Sequence, residues 1–134
     1  MKLLAALGLT AAVLLTAQPA PVFGAQRSKS VCLQVLKAAN TARKAPQLQW
    51  CDFRSANLVL ANLSGANLSY AWLHNANLTG ADLRGANFYR TVLWRANFSS
   101  ANLYRATNLP EAIGLNTVNG KGATRSNGSP WGSP

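Results

Sequence analysis

Residues 51 to 105 read CDFRS, ANLVL, ANLSG, ANLSY, AWLHN, ANLTG, ADLRG, ANFYR, TVLWR, ANFSS, ANLYR, which is eleven consecutive units of five. The third residue of every unit is large and apolar: Phe53, Leu58, Leu63, Leu68, Leu73, Leu78, Leu83, Phe88, Leu93, Phe98 and Leu103. Two positions earlier stands a small residue, Cys51 or Thr91 in two units and Ala in the other nine. Positions two apart share a face of an extended segment, so each unit turns one large and one small side chain inward and one polar side chain outward between them. The last two residues of each unit must turn the corner, with Gly65, Gly80 and Gly85 giving freedom at three of the bends. A period of five excludes an amphipathic helix, whose stripe recurs at three and four, and marks a stacked solenoid.

Nine of the eleven second positions are Asn or Asp and every centre is Leu or Phe, so the array resembles the pentapeptide-repeat family, with its motif A(D/N)LXX. The resemblance implies an all-β solenoid, a right-handed quadrilateral β-helix with four units per coil. Eleven units then make nearly three coils, a rod roughly 13 to 15 Å long at one strand spacing per layer. Some members resemble B-form DNA and bind topoisomerases, a role that implies an acidic surface and a cytoplasmic address. This chain is basic, at +10, and reads as exported, so neither that role nor nucleic-acid binding is expected of it.

Upstream of the array, Lys2 precedes an uncharged apolar run from Leu3 to Ala17. That is the charged start and short apolar core of a secretory signal, too short for a comfortable membrane span. Cleavage is expected after Gly24 or Ala25, leaving no membrane span and, without Lys2, a charge of +9. Residues 26–50 form a helical cap and lead-in: Ser30 caps a helix running to about Lys44, with Lys37, Arg43 and Lys44 toward its negative end. Cys32, Val35, Leu36 and Ala39 form its apolar stripe, suited to covering the first layer of a coil. Leu48 keeps the five-residue phase as a degenerate first unit.

Downstream, the large residue slips by one at Leu109, and Pro110 is expected to block further pairing. Residues 106–118 are read as a C-terminal cap and the Gly, Ser and Asn-rich 119–134 as a disordered tail.

Export sets the chemistry open to Cys32 and Cys51, which both point at the junction of cap and coil. They can form a disulfide pinning one to the other, or stand as buried unlinked thiols. No cofactor or metal is expected: His74 is the single histidine, at an outward corner, and Asp52, Asp82 and Glu111 are the only acids. Asp52 and Asp82 occupy the Asn/Asp slot, where hydrogen bonding to nearby backbone is the expected role. With no nucleophile, phosphate loop or paired acid arranged around His74, the chain reads as non-catalytic.

Taking twenty residues per coil, the columns of the rod can be written from the sequence. One outward column reads Asp52, Trp72, Val92, the last two being the departures from Asn or Asp. Around it gather Trp50, Tyr70, Tyr89, Arg90, Trp94 and Arg95, an aromatic and basic edge. The remaining two faces read as plain solvated walls. Exposed Trp, Tyr and Arg dominate interface energetics, so the edge is the candidate binding surface for a protein partner of unspecified identity. The same rings can instead stack between layers and shield the coil. A second reading is electrostatic binding to an anionic surface, envelope polymers or lipid headgroups, driven by the basic charge. A third, an unrecognised enzyme, predicts that His74→Ala abolishes a turnover. The expected address is the periplasm, the thylakoid lumen or the extracellular space, the lumen entering because cyanobacteria are among the bacteria rich in such proteins.

Overall fold

The computed structural model describes residues 26–125 and 127–129; the signal peptide expected at 1–25 and most of the last residues of the chain lie outside these. The architecture is a ladder of parallel bridges. Asn57 pairs with Asn77 and Asn77 with Asn97, Asn62 with Asp82 and Asp82 with Asn102, and so on at a spacing of twenty residues. Four units therefore make one turn, and the bridges at this spacing fall on the second residue of a unit.

Each unit is fastened to its neighbours in the same way. The centre donates down the stack, as in Leu58 N–H to the Asn77 carbonyl at 2.7 Å, and the Asn77 N–H returns to the Ala56 carbonyl at 2.9 Å. The corner is closed by a turn bond such as Ala61 N–H to the Leu58 carbonyl, 3.1 Å. All eleven centres are buried, ten of them completely and Leu58 at 3% exposure. Thr91 fits the small slot because its hydroxyl donates to the Leu68 carbonyl at 2.8 Å.

The bends do not depend on glycine. The last residue of each unit takes a positive φ whatever its side chain, including Leu60 at 56°, Tyr70 at 60° and Arg95 at 55°. Left-handed backbone costs a non-glycine residue roughly 1 to 2 kcal/mol, so the ladder and the buried centres impose this conformation on the corner.

The cap helix α1 spans Lys29–Thr41, with Ser28 rather than Ser30 at its N-cap position and no side-chain capping bond. Ser30 lies inside the first turn, and its hydroxyl meets that of Ser28 at 3.2 Å. The helix stops at Thr41, so Arg43 and Lys44 lie beyond its last turn; Arg43 has a φ of 54°, which no helix continues through. Cys32, Leu36 and Ala39 are buried, and Val35 packs against the core. Cys32 and Cys51 are joined by a disulfide, their Cα atoms 5.8 Å apart. Ahead of the helix, Arg27 pairs with Cys51 and adds a partial strand above the first coil.

Two expectations for the C-terminal part fail. The ladder does not end after Arg105: Thr107, Ile113, Asn119 and Thr124 pair with Asn87, Val92, Asn97 and Asn102. The bridges from Gln47 to Thr124 thus place four levels on each of four faces, not nearly three coils. Residues 106–118 are the start of a fourth coil, and residues 119–125, read as disordered, complete it with Ala123 at 1% exposure. The physical reason is that a backbone ladder needs no large centre. Pro110 falls in a widened corner where no rung is made, and the spacing becomes 21 residues at Val92 with Ile113 and 22 at Asn97 with Asn119. The centre positions of this coil are Asn108, Gly114, Gly120 and Arg125, with Leu109 and Leu115 filling from one position later.

Candidate functional site

The four faces differ in what the second position does. In all nine repeat units that carry Asn or Asp there, the side-chain Oδ1 accepts the N–H two residues on, at 3.0 to 3.2 Å. This Asx bond ties each corner to its own strand. The Asn77 face, with Asn57, Asn77, Asn97 and Asn119, is built this way throughout, and Asn97 Nδ2 also donates to Thr79 Oγ1 at 3.1 Å.

The face that reads Asp52, Trp72, Val92 and Ile113 lacks the device at all three lower levels. Flanking groups fasten it instead. With its amide oriented to satisfy both groups, Gln26 accepts the Trp72 indole N–H at 2.9 Å and donates to the Trp50 carbonyl at 2.7 Å. The Arg54 guanidinium lies 4.8 Å from the centroid of the Trp72 ring while also pairing with Asp52 at 2.8 Å. The indole of Trp94 lies on Gly114, where an added Cβ would come within 2.8 Å of a ring carbon and where φ is 81°. Arg95 N–H donates to Thr117 Oγ1 at 2.8 Å.

The expected edge is present but its members are not equivalent. Trp50 and Tyr70 stack in parallel with centroids 4.3 Å apart, and Tyr70 meets Tyr89 edge to face at 5.6 Å. Trp50, Tyr70 and Trp72 are half-buried, whereas Tyr89, Arg90, Trp94 and Arg95 are exposed. The upper rings stack and shield the coil, and the lower ones face solvent. Ile113, inside the segment expected to cap the coil, is instead 47% exposed and extends the apolar column downward, while Gln26, ahead of the repeats and not expected at the edge, holds Trp72. Val59 and Leu60, at 42% and 76% exposure, stand on the corner between the two faces expected to be plain walls.

Charge is unevenly placed. Two ion pairs occur among the described residues, Arg54 with Asp52 and Arg84 with Asp82, and in each the hydrogen bonds from arginine hold the carboxyl below the usual range. Burial lowers the Arg27 guanidinium, whose side chain donates to the Gln47 carbonyl at 3.2 Å. His74 stands half-buried in the corner column between Arg54 and Trp94. Among the described residues no cluster of three or more His, Cys, Asp or Glu forms, and no helix is long and apolar enough to cross a membrane.

Comparison with known proteins follows the same residues. The family profile for pentapeptide repeats matches eight copies over residues 47–85 and 76–107. No curated protein matches the chain. Among solved structures the chain is similar to HetL, a pentapeptide repeat protein involved in heterocyst differentiation regulation from the cyanobacterium Nostoc. The identity is 33%, over 65% of this chain and 39% of that one, with a TM-score of 0.47. It is also similar to another Nostoc pentapeptide repeat protein, at 26% identity over 82% of this chain and 92% of that one, with a TM-score of 0.35. A third, from the cyanobacterium Cyanothece, shares 28% identity over 60% of each chain, with a TM-score of 0.26. The chain spans well under half the length of HetL. On the repeats at residues 47–107, this chain belongs to the pentapeptide-repeat family.

Proposed function

We propose that this chain is a non-catalytic, exported interaction module that presents its Trp72 face to a protein partner. Pentapeptide-repeat proteins are generally non-enzymatic scaffolds. The observation that carries the reading is the outward column Trp72, Val92, Ile113, which replaces the corner-fastening Asn or Asp with apolar side chains at three successive levels. Tyr89 and Arg90 flank it on one corner, Trp94 and Arg95 on the other. An apolar strip rimmed by Arg and aromatic residues has the make-up of a binding surface. Export is supported by the apolar run at Leu3 to Ala17 and by the Cys32–Cys51 disulfide, a bond that persists in oxidising compartments.

The test is capture from an envelope extract by wild type and by a Val92→Asn, Ile113→Asn double variant, which restores the repeat's usual residue without disturbing Trp72 or Trp94. A partner held by wild type and lost by the variant, with an unchanged circular dichroism spectrum, supports the reading. Equal capture by both removes the face from consideration.

A further inference from the structure

The third coil, residues 86–105, carries a feature that column-by-column reading hides. Three of its four corners are an aromatic residue followed by arginine: Tyr89–Arg90, Trp94–Arg95 and Tyr104–Arg105. The aromatic residues are 36%, 43% and 40% exposed, and the three arginines are exposed with φ of 51°, 55° and 59°. The guanidinium lies 5.8 Å from the ring centroid at Tyr89 and 5.1 Å at Tyr104. The fourth corner is Ser99–Ser100, and exposed Lys121 sits directly beneath it, its carbonyl accepting the Ser100 N–H at 2.9 Å. Cations therefore stand on all four corners at one end of the rod. The coil above, residues 66–85, has one arginine, Arg84, neutralised by Asp82.

We propose that this aromatic–arginine collar docks the C-terminal end of the rod on an anionic lipid surface, with the rod axis close to the membrane normal. A partner lying against one side of the rod reaches at most two corners. A plane perpendicular to the axis meets all four. Trp and Tyr paired with Arg are the side chains that settle at a bilayer interface, with the ring toward the acyl boundary and the cation among the phosphates. One coil lies below the collar, so the collar stands about 5 Å above the last rungs, close to the headgroup depth of roughly 5 to 7 Å on each side of a bilayer. Apart from Lys121 and Glu111, the exposed residues of that coil are uncharged, among them Thr107, Asn108, Asn116 and Asn119, and suit a hydrated headgroup layer. The inference stands apart from the Trp72-face reading, because Tyr104 and Arg105 lie on a corner that face does not touch.

The experiment is co-sedimentation of the chain with vesicles of equal parts phosphatidylcholine and phosphatidylglycerol, and with phosphatidylcholine alone. Wild type is expected to bind only the anionic vesicles and to be released by salt. An Arg90→Asn, Arg95→Asn, Arg105→Asn variant uses a residue that already occupies this corner at Asn75, and is expected to lose on the order of 100-fold in affinity. A Tyr104→Ser, Arg105→Ser variant copies the Ser99–Ser100 corner and is expected to lose on the order of 10-fold. A cap variant of equal charge loss, Lys37→Gln, Arg43→Asn, Lys44→Gln, is expected to bind as wild type. Equal loss from the cap and collar triples, or an unaffected Tyr104 double variant, overturns the collar. So does capture by soluble dextran sulfate without vesicle binding, which would make the chain a polymer binder.

Discussion

The Asn77 face and the Trp72 face enclose the same interior and differ outside. Behind both, a Leu or Phe centre and a small Ala, Cys or Thr fill each repeat unit to near-zero exposure, and the same backbone bonds join the levels. Outside, the Asn77 face uses its outward side chains to hold its own corners, through Asx bonds at 3.1 Å to Thr79 and 3.0 Å to Ser99. The Trp72 face leaves that work to Gln26, Gly114 and Thr117, which come from segments before and after the repeats. Once the corner is held from elsewhere, the outward side chain is released from a structural duty and can be apolar. The fold is thus indifferent to the outward column, and a surface for binding can be written there at little cost to the interior.

The largest effects should be the same on both faces, since the interior does not distinguish them. Leu73→Ala on the Trp72 face and Leu78→Ala on the Asn77 face each empty a fully buried site and should cost about 2 to 5 kcal/mol in denaturant unfolding. A loss confined to one of them would break the comparison. Next comes the junction at the top of the Trp72 face: removing the Cys32–Cys51 bridge, which spans 19 residues, should cost about 3 kcal/mol, measured as the shift in denaturation midpoint on reduction. The outward column follows. Asn77→Ala withdraws the acceptor of the Thr79 N–H and hydroxyl and should cost about 1 kcal/mol, while Val92→Asn should stay within about 0.5 kcal/mol of wild type.

The smallest effect sharpens the contrast by pH. Asp52 is on the Trp72 face and Asp82 on the opposite one, and arginine hydrogen bonds hold both carboxyls below their usual range. A depressed folded value means stability that is fully present above the unfolded carboxylate pKa of about 4 and lost as pH falls through the folded values. The side chains of Asp52 and Asp82 are 21% and 30% exposed and their arginines more so, so solvent screens much of the gain. Thermal melts should show a shallow fall in stability below pH of about 4, reduced in Asp52→Asn and in Asp82→Asn alike.

The repeat could be read from sequence because its period, its small and large inward positions and its Asn or Asp slot each have a single physical use. Phe53 to Leu103 fell where expected for that reason. The end of the coil could not, because reading it relied on large centres: at Asn108, Gly114 and Gly120 the centres vanish while the backbone goes on pairing. The edge was visible as composition, yet which rings face solvent depended on contacts with distant partners, Gln26 on Trp72 and Gly114 beneath Trp94. The collar was present in the letters YR, WR and YR. It emerges only when the units of one coil are compared around the rod as well as along it.

The difference between the faces is tested most directly by amide hydrogen exchange, followed residue by residue by NMR. The Thr79 and Ser99 amides donate to Asn Oδ1; the His74 and Trp94 amides, at the same place in their units, have Trp72 and Val92 where that acceptor stands. Exchange at Thr79 and Ser99 slower than at His74 and Trp94 by about 10-fold or more is the expected result. Equal protection at all four would contradict the claim that the Trp72 face has given up the repeat's own fastening.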